Sequence, residues 1–295
     1  MNAHVLFLLV LLGLGVSSAR ADETSSAKDP QCSEQAQAAA VYRGELWLGG
    51  FQGGLCVQRN SQFVPVESPV RFVNDLLVVN DALYVAAHEG LFVTHDGLRF
   101  SRVNALEVRG ANGLASDGKL LWVSTPSVLF QLPLDTLGRY RRFTRPGGST
   151  AIQAVARHGQ TLWLATEDRG LVRITKGKIQ VFDALRGLGS SWVVDVEVDK
   201  QGNAYAATLR DGLFRVSRDG EISAIDVGHR WLLRLYAQDG ALWIGSQDGL
   251  AKRHATGRVQ QLGPLPDARV HMLYRTDAGL WVGTEHGATL LSEGT

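Results

Sequence analysis

Apolar residues along this chain run in short stretches or alternate with polar ones, each stretch closing at Gly, Asp or Asn, and no 3.6-residue period is sustained. Such a pattern predicts strands. Residues 233–262 show the unit: Leu233 to Ala237, a turn at Asp239-Gly240, Ala241 to Gly245, a turn at Asp248-Gly249, Leu250 to Arg253, then Val259 to Leu262. Four antiparallel strands in about 40 residues is the period of a propeller blade, whereas solenoid repeats of that length are helical.

The unit recurs seven times. Its core is apolar, Trp or Tyr, apolar, small, small: Leu46-Trp47-Leu48-Gly49-Gly50, Leu83-Tyr84-Val85-Ala86-Ala87, Leu121-Trp122-Val123-Ser124-Thr125 and Leu162-Trp163-Leu164-Ala165-Thr166 come first. Ala204-Tyr205-Ala206-Ala207-Thr208, Leu242-Trp243-Ile244-Gly245-Ser246 and Leu280-Trp281-Val282-Gly283-Thr284 complete the set. The aromatic positions are 37, 38, 41, 42, 38 and 38 residues apart. These repeats predict an all-β fold, a seven-bladed β-propeller of four-stranded antiparallel blades. One aromatic per blade at a fixed strand position reads as packing between blades rather than as a ligand cage. The small residues after it let neighbouring backbones approach. The first unit begins near Ala36, and the seventh ends at Leu291 after three strands. Residues 22–34 either supply the missing outer strand or leave a three-stranded last blade; Asp22 to Ser33 is poor in strand formers.

The Leu-Trp-Ile-Gly-Ser-x-x-Gly-Leu form at residues 242–250, with Leu280-Trp281-Val282-Gly283-Thr284, resembles the two-component-regulator propeller repeat of bacterial periplasmic sensor regions. The resemblance covers residues 36–291 and implies the propeller and a sensory or envelope-associated role. Sensors of that family continue into a membrane helix and a kinase. This chain stops at Thr295, so a standalone propeller without either is expected. The Gly-His and Trp-Asp pairing of WD repeats is absent, and Thr94-His95-Asp96-Gly97-Leu98-Arg99-Phe100 is the single segment resembling an Asp-box, read as a hairpin between third and fourth strands.

Residues 1–21 change the picture of where the protein acts. An apolar run from Val5 to Val16 precedes Ala19-Arg20-Ala21, an h-region with an A-x-A cleavage site. It falls short of the roughly 20 apolar residues that span a bilayer, so a cleaved secretory signal and a periplasmic or secreted protein are expected, without a transmembrane segment in the mature chain. The division is 1–21 signal, 22–34 N-terminal segment, 35–295 propeller. The chain has 30 Lys plus Arg against 29 Asp plus Glu, and losing Arg20 leaves 29 of each. That balance argues against a nucleic-acid partner and offers no sign of a membrane-surface partner. Two cysteines, Cys32 and Cys56, exclude a cysteine-rich zinc module. In an oxidising compartment they are expected to pair.

In a propeller the first strand of each blade starts, and the second ends, on one face around the central channel. Matching the repeats puts Gln37, Asn74, Asn112, Gln153, Val194, Leu233 and His271 at the first-strand starts, with Phe51, His88, Pro126, Glu167, Leu209, Gln247 and Glu285 at the second-strand ends. The polar members, Gln37, Asn74, His88, Asn112, Gln153, Glu167, Gln247, His271 and Glu285, are the candidate ligand-binding residues. His271 and Glu285 form the sharpest pair, with His286 near. Their spacing also resembles the streptogramin lyases, seven-bladed propellers with a catalytic His and a metal-binding Glu in one blade. That resemblance implies an alternative function, a magnesium-assisted lyase using His271 and Glu285 as catalytic residues and Glu285 as metal ligand. The preceding blade, where those enzymes carry another His, has Leu233 here. No Gly-x-Ser-x-Gly, phosphate loop or His-Glu-x-x-His occurs. Arg139-Tyr140-Arg141-Arg142-Phe143-Thr144-Arg145, the single basic cluster, reads as a solvated edge strand, and Asp195 and Glu197 alternate on one strand. The leading expectation is a non-enzymatic binding module without a cofactor, taking a protein partner or small ligand at the channel face.

Overall fold

A computed structural model describes residues 35–103, 110–149, 151–265 and 267–291. Seven antiparallel sheets follow one another along the chain, each with its strands in sequence order from the channel outward. The innermost strands are Ala36–Tyr42, Val73–Val79, Gly113–Ser116, Ile152–His158, Val193–Val198, Leu232–Gln238 and Met272–Thr276. Blades one to six have four strands. Blade seven has three among the described residues, Met272–Thr276, Gly279–Thr284 and Gly287–Leu291. The secretory segment and residues 22–34 lie outside the described residues, as does Cys32; Cys56 is fully buried in the third strand of blade one. Among the described residues no helix is long and apolar enough to cross a membrane.

The seven repeated aromatics are all buried, Trp163 being 1% exposed and Trp281, the least covered, 8%. They sit in seven clusters, and each cluster joins two consecutive blades. Trp47 packs with Val73 and Leu76 of blade two, Trp163 with Val193 and Val196 of blade five, and Trp243 with Val270 and Leu273 of blade seven. Trp281 packs with Ala36 and Leu48 of blade one and so closes the ring. The core therefore lies between sheets, where twisted faces interdigitate. The small residue two places after the aromatic makes this spacing possible. A Cβ at Gly49 would lie 2.3 Å from a Val73 methyl, and one at Gly245 2.6 Å from a Val270 methyl.

Five innermost strands carry a register shift near their start, at Ala36/Ala38, Val73/Asp75, Ile152/Ala154, Val193/Asp195 and Leu232/Arg234. The residue skipped in each ladder is Gln37, Asn74, Gln153, Val194 or Leu233. A bulge frees one residue from pairing and re-aims its side chain, and here it does so at the channel mouth in each case.

Candidate functional site

The re-aimed residues line a cavity of about 300 Å³ at the channel mouth. Gln37, Asn74, Asn112, Gln153, Glu167, Gln247, His271 and Glu285 all border it, as the repeat alignment predicts. His88 does not border it; it is exposed on the rim, where its ring meets Phe72 edge-on with centroids 5.9 Å apart. Phe51 borders the opening, and Phe72 is in edge contact with both Phe51, at 5.3 Å, and His88. Trp192, Val194, Leu209 and Leu233 give the opening an apolar wall from blades five and six.

The polar residues do not act alike. Asn74 donates its amide to the Ala111 carbonyl at 2.8 Å, and Asn112 donates to Ile152 at 2.7 Å, so each joins its blade to the next. Gln153, one methylene longer, turns to Glu167 of its own blade and donates at 2.6 Å. Burial, with the Asp168 charge second, raises the Glu167 carboxyl above its ordinary range. The side-chain amides of Gln37 and Gln247 make no hydrogen bond among the described residues and remain open to the cavity.

Blade seven supplies a charged group. Arg269 forms an ion pair with Glu285, whose carboxylate lies 3.9 Å from His271 Nε2. Burial pushes the His271 pKa down to about 4; the cations of Arg234 and Arg269 add to this, while Glu285 opposes it. The imidazole is neutral at physiological pH. His286 faces away, its ring 2.9 Å from Asp267. A divalent cation finds a poor donor set here. Glu285 already faces a guanidinium, Leu233 fills the matching place in blade six, and no group of three or more His, Cys, Asp or Glu among the described residues is placed to hold a metal.

Deeper in the channel lies a second space of about 360 Å³, bordered by Asp75, Asp195, Glu197 and Arg234. Asp75 accepts the Leu114 amide of the next blade at 2.8 Å, and Asp195 accepts that of Leu235 at the same distance. Arg234 donates to the His271 carbonyl at 2.9 Å and the Gln37 carbonyl at 3.2 Å, and lies 3.9 Å from Asp195. One side chain thus connects blades five, six, seven and one. Burial raises all three carboxyls, Asp75 to about 6 and Glu197 to about 8. The sequence reading noted Asp195 and Glu197 but not Arg234, Arg269 or Trp192. Scanning the residue after each first-strand start, which gives Ala38, Asp75, Gly113, Ala154, Asp195, Arg234 and Met272, isolates two acids and one arginine.

No family model and no curated protein matches the chain. Solved structures do match. The extracellular domain of a hybrid two-component system of B. thetaiotaomicron superposes with a TM-score of 0.74 at 16% identity, over 86% of this chain and 39% of that one. Virginiamycin B lyase of Staphylococcus aureus gives 0.73 at 14%, over 89% and 94%. PorZ, a surface component of the type-IX secretion system of Porphyromonas gingivalis, gives 0.66 at 14%, over 88% and 37%. The chain spans well under half of the two-component domain, and at these identities the likeness is one of fold: the propeller of two-component extracellular domains and of streptogramin lyases alike.

Proposed function

We propose that the protein is an exported binding module that takes a small, uncharged ligand at the channel mouth. What carries this reading is that the charged groups at the cavity already have partners in the protein. Arg269 pairs with Glu285, Arg234 with Asp195 and backbone carbonyls, Glu167 with Gln153, and His271 is neutral. The groups left for a ligand are the amides of Gln37 in blade one and Gln247 in blade six and, beside Gln247, the wall of Trp192, Leu209 and Leu233. Neutral donors and acceptors next to an apolar wall orient a ligand with one apolar side and a hydrogen-bonding edge. The volume, about 300 Å³, is at the lower end of small-molecule sites. The two-component extracellular domains support a sensory setting for such a module.

His271 and Glu285 also border the cavity and keep a lyase as the competing reading, since the lyase fold is equally similar. One experiment separates them. Purified wild type is screened by thermal shift against uncharged small molecules, and the hit is then followed by mass spectrometry with and without magnesium. The binding module returns its ligand unchanged, and Gln37→Ala with Gln247→Ala weakens binding while keeping the melting temperature. Magnesium-dependent consumption by wild type and not by the variant His271→Ala with Glu285→Gln would replace the binding module with an enzyme.

A further inference from the structure

The channel mouth leaves one sequence feature unused, the basic run at residues 139–145. Its strand, Arg141–Thr144, is the outer edge of blade three. Edge protection by charge does not account for it. The outermost strands of blades one, five, six and seven, Gln62–Val66, Ile222–Ile225, Val259–Leu262 and Gly287–Leu291, carry no charge at all, and those of blades two and four carry one each. Arg141–Thr144 carries two, with Arg139 and Arg145 on its flanks.

The neighbouring edge continues the patch. Phe143 of blade three and Val181 of blade four pack in one cluster, so strand alternation puts Arg141 and Ile179 on the two sides of the same seam. Lys176 and Lys178 follow at the same end of blade four, and Arg139, Arg141, Arg142, Lys176 and Lys178 are all exposed. None of these five side chains has a hydrogen bond or ion pair among the described residues. The acids nearby in the chain are Asp135 and Asp183, and Asp183 is engaged in capping the turn Ala184–Arg186. Large apolar side chains stand among the cations. Tyr140 is 44% exposed and Ile179 49%.

We infer that the outer edge of blades three and four docks on a membrane leaflet containing anionic phospholipid. Cations meet headgroup phosphates while neighbouring apolar tips enter the acyl boundary, a combination that suits a lipid surface. Single-stranded nucleic acid needs aromatic faces for stacking, and Tyr140, the one exposed aromatic here, is already in edge contact with Phe130 at 5.4 Å. Near-neutrality of the whole chain does not oppose docking. At physiological salt a membrane senses charges within about 8 Å, so the local excess governs. The interaction is peripheral and independent of the channel-mouth site.

The test is flotation of the purified full chain with vesicles of phosphatidylcholine alone or mixed with phosphatidylglycerol. Wild type floats with the mixed vesicles, stays behind with phosphatidylcholine, and is released by high salt. The triple variant Arg139→Ala, Arg141→Ala, Arg142→Ala binds about a hundredfold more weakly, from roughly tenfold or less per arginine near an anionic surface. Its Lys counterpart keeps binding, which controls for folding. Ile179→Ser with Tyr140→Ser lowers binding further, whereas Arg71→Ala with Arg210→Ala, on the channel-mouth face, leaves it unchanged. Equal flotation of wild type and triple-Ala variant overturns the inference. So does retention on heparin or an acidic protein without any flotation, which would assign the patch to a polyanion.

Discussion

Asn74 and Asn112 differ from Gln37 and Gln153 by one methylene at equivalent places in the ring, and they do different work. The shorter amides reach the next blade's backbone and hold it. The longer ones lean over the mouth, where Gln153 meets Glu167 and Gln37 meets no described partner. A polar ring read as one binding surface is therefore two sets of residues. One set joins blades, with Asp75, Asp195 and Arg234 extending it down the channel. The other faces whatever enters.

Variants can break this division. The scale is set by the core itself: Trp163→Ala should lower stability by about 3 to 5 kcal/mol, read from denaturant melts, because Trp163 is fully buried between blades four and five. Asp195→Ala should follow at about 2 kcal/mol, since it leaves the Leu235 amide without its acceptor and Arg234 without its carboxylate. Asn112→Ala should cost about 1 kcal/mol, the net value of one amide–carbonyl bond. Gln37→Ala should leave the melt unchanged and weaken ligand binding, measured by calorimetry. Equal stability losses for Asn112→Ala and Gln37→Ala would erase the distinction.

The two levels of the channel should also respond to pH with opposite signs. Unfolded, a Glu loses its proton above about 4.5, while half-buried Glu197 holds its own to about 8; its contribution is present at low pH and is lost as pH rises through that window. His271 behaves inversely. The unfolded imidazole takes up a proton below about 6.5 and the native one only near 4, so stability is lost as pH falls between those values. Between about 6.5 and 8 only the Glu197 slope remains of these two, and Glu197→Gln should flatten it in chemical denaturation series.

Seven blades, their strands and the channel-mouth ring were legible in the sequence because the aromatic and its small followers recur at a nearly fixed period, and strand alternation then fixes which positions share a face. The unit read at residues 233–262 matches the strands Leu232–Gln238, Ala241–Ser246, Leu250–Arg253 and Val259–Leu262 within a residue or so at each end. Side-chain partners were less legible. Nothing local to Asn74 tells that its amide reaches Ala111, 37 residues on. His88 was misplaced because its ring meets Phe72 in space and not in sequence. Arg234 escaped notice because its partners come from three other blades, a relation that follows from ring closure and not from any repeat. The basic run was visible, but its companions Ile179 and Lys178 belong to another blade.

Every core cluster being shared by two blades has a consequence for how the molecule comes apart. A linear array frays from its ends, because a terminal repeat has one interface to lose. In a closed ring each sheet has two, and losing any one of them exposes both neighbours. Local opening should therefore be nearly as rare in one blade as in another, with native-state hydrogen exchange of the innermost strands converging on a common, global free energy. The junction of blades seven and one is where a departure would show first. It lacks a strand contributed by one sheet to the other among the described residues, and rests on the Trp281 cluster, the Gln35 amide that donates to the Glu285 carbonyl and the Tyr274 hydroxyl that accepts the Val41 amide.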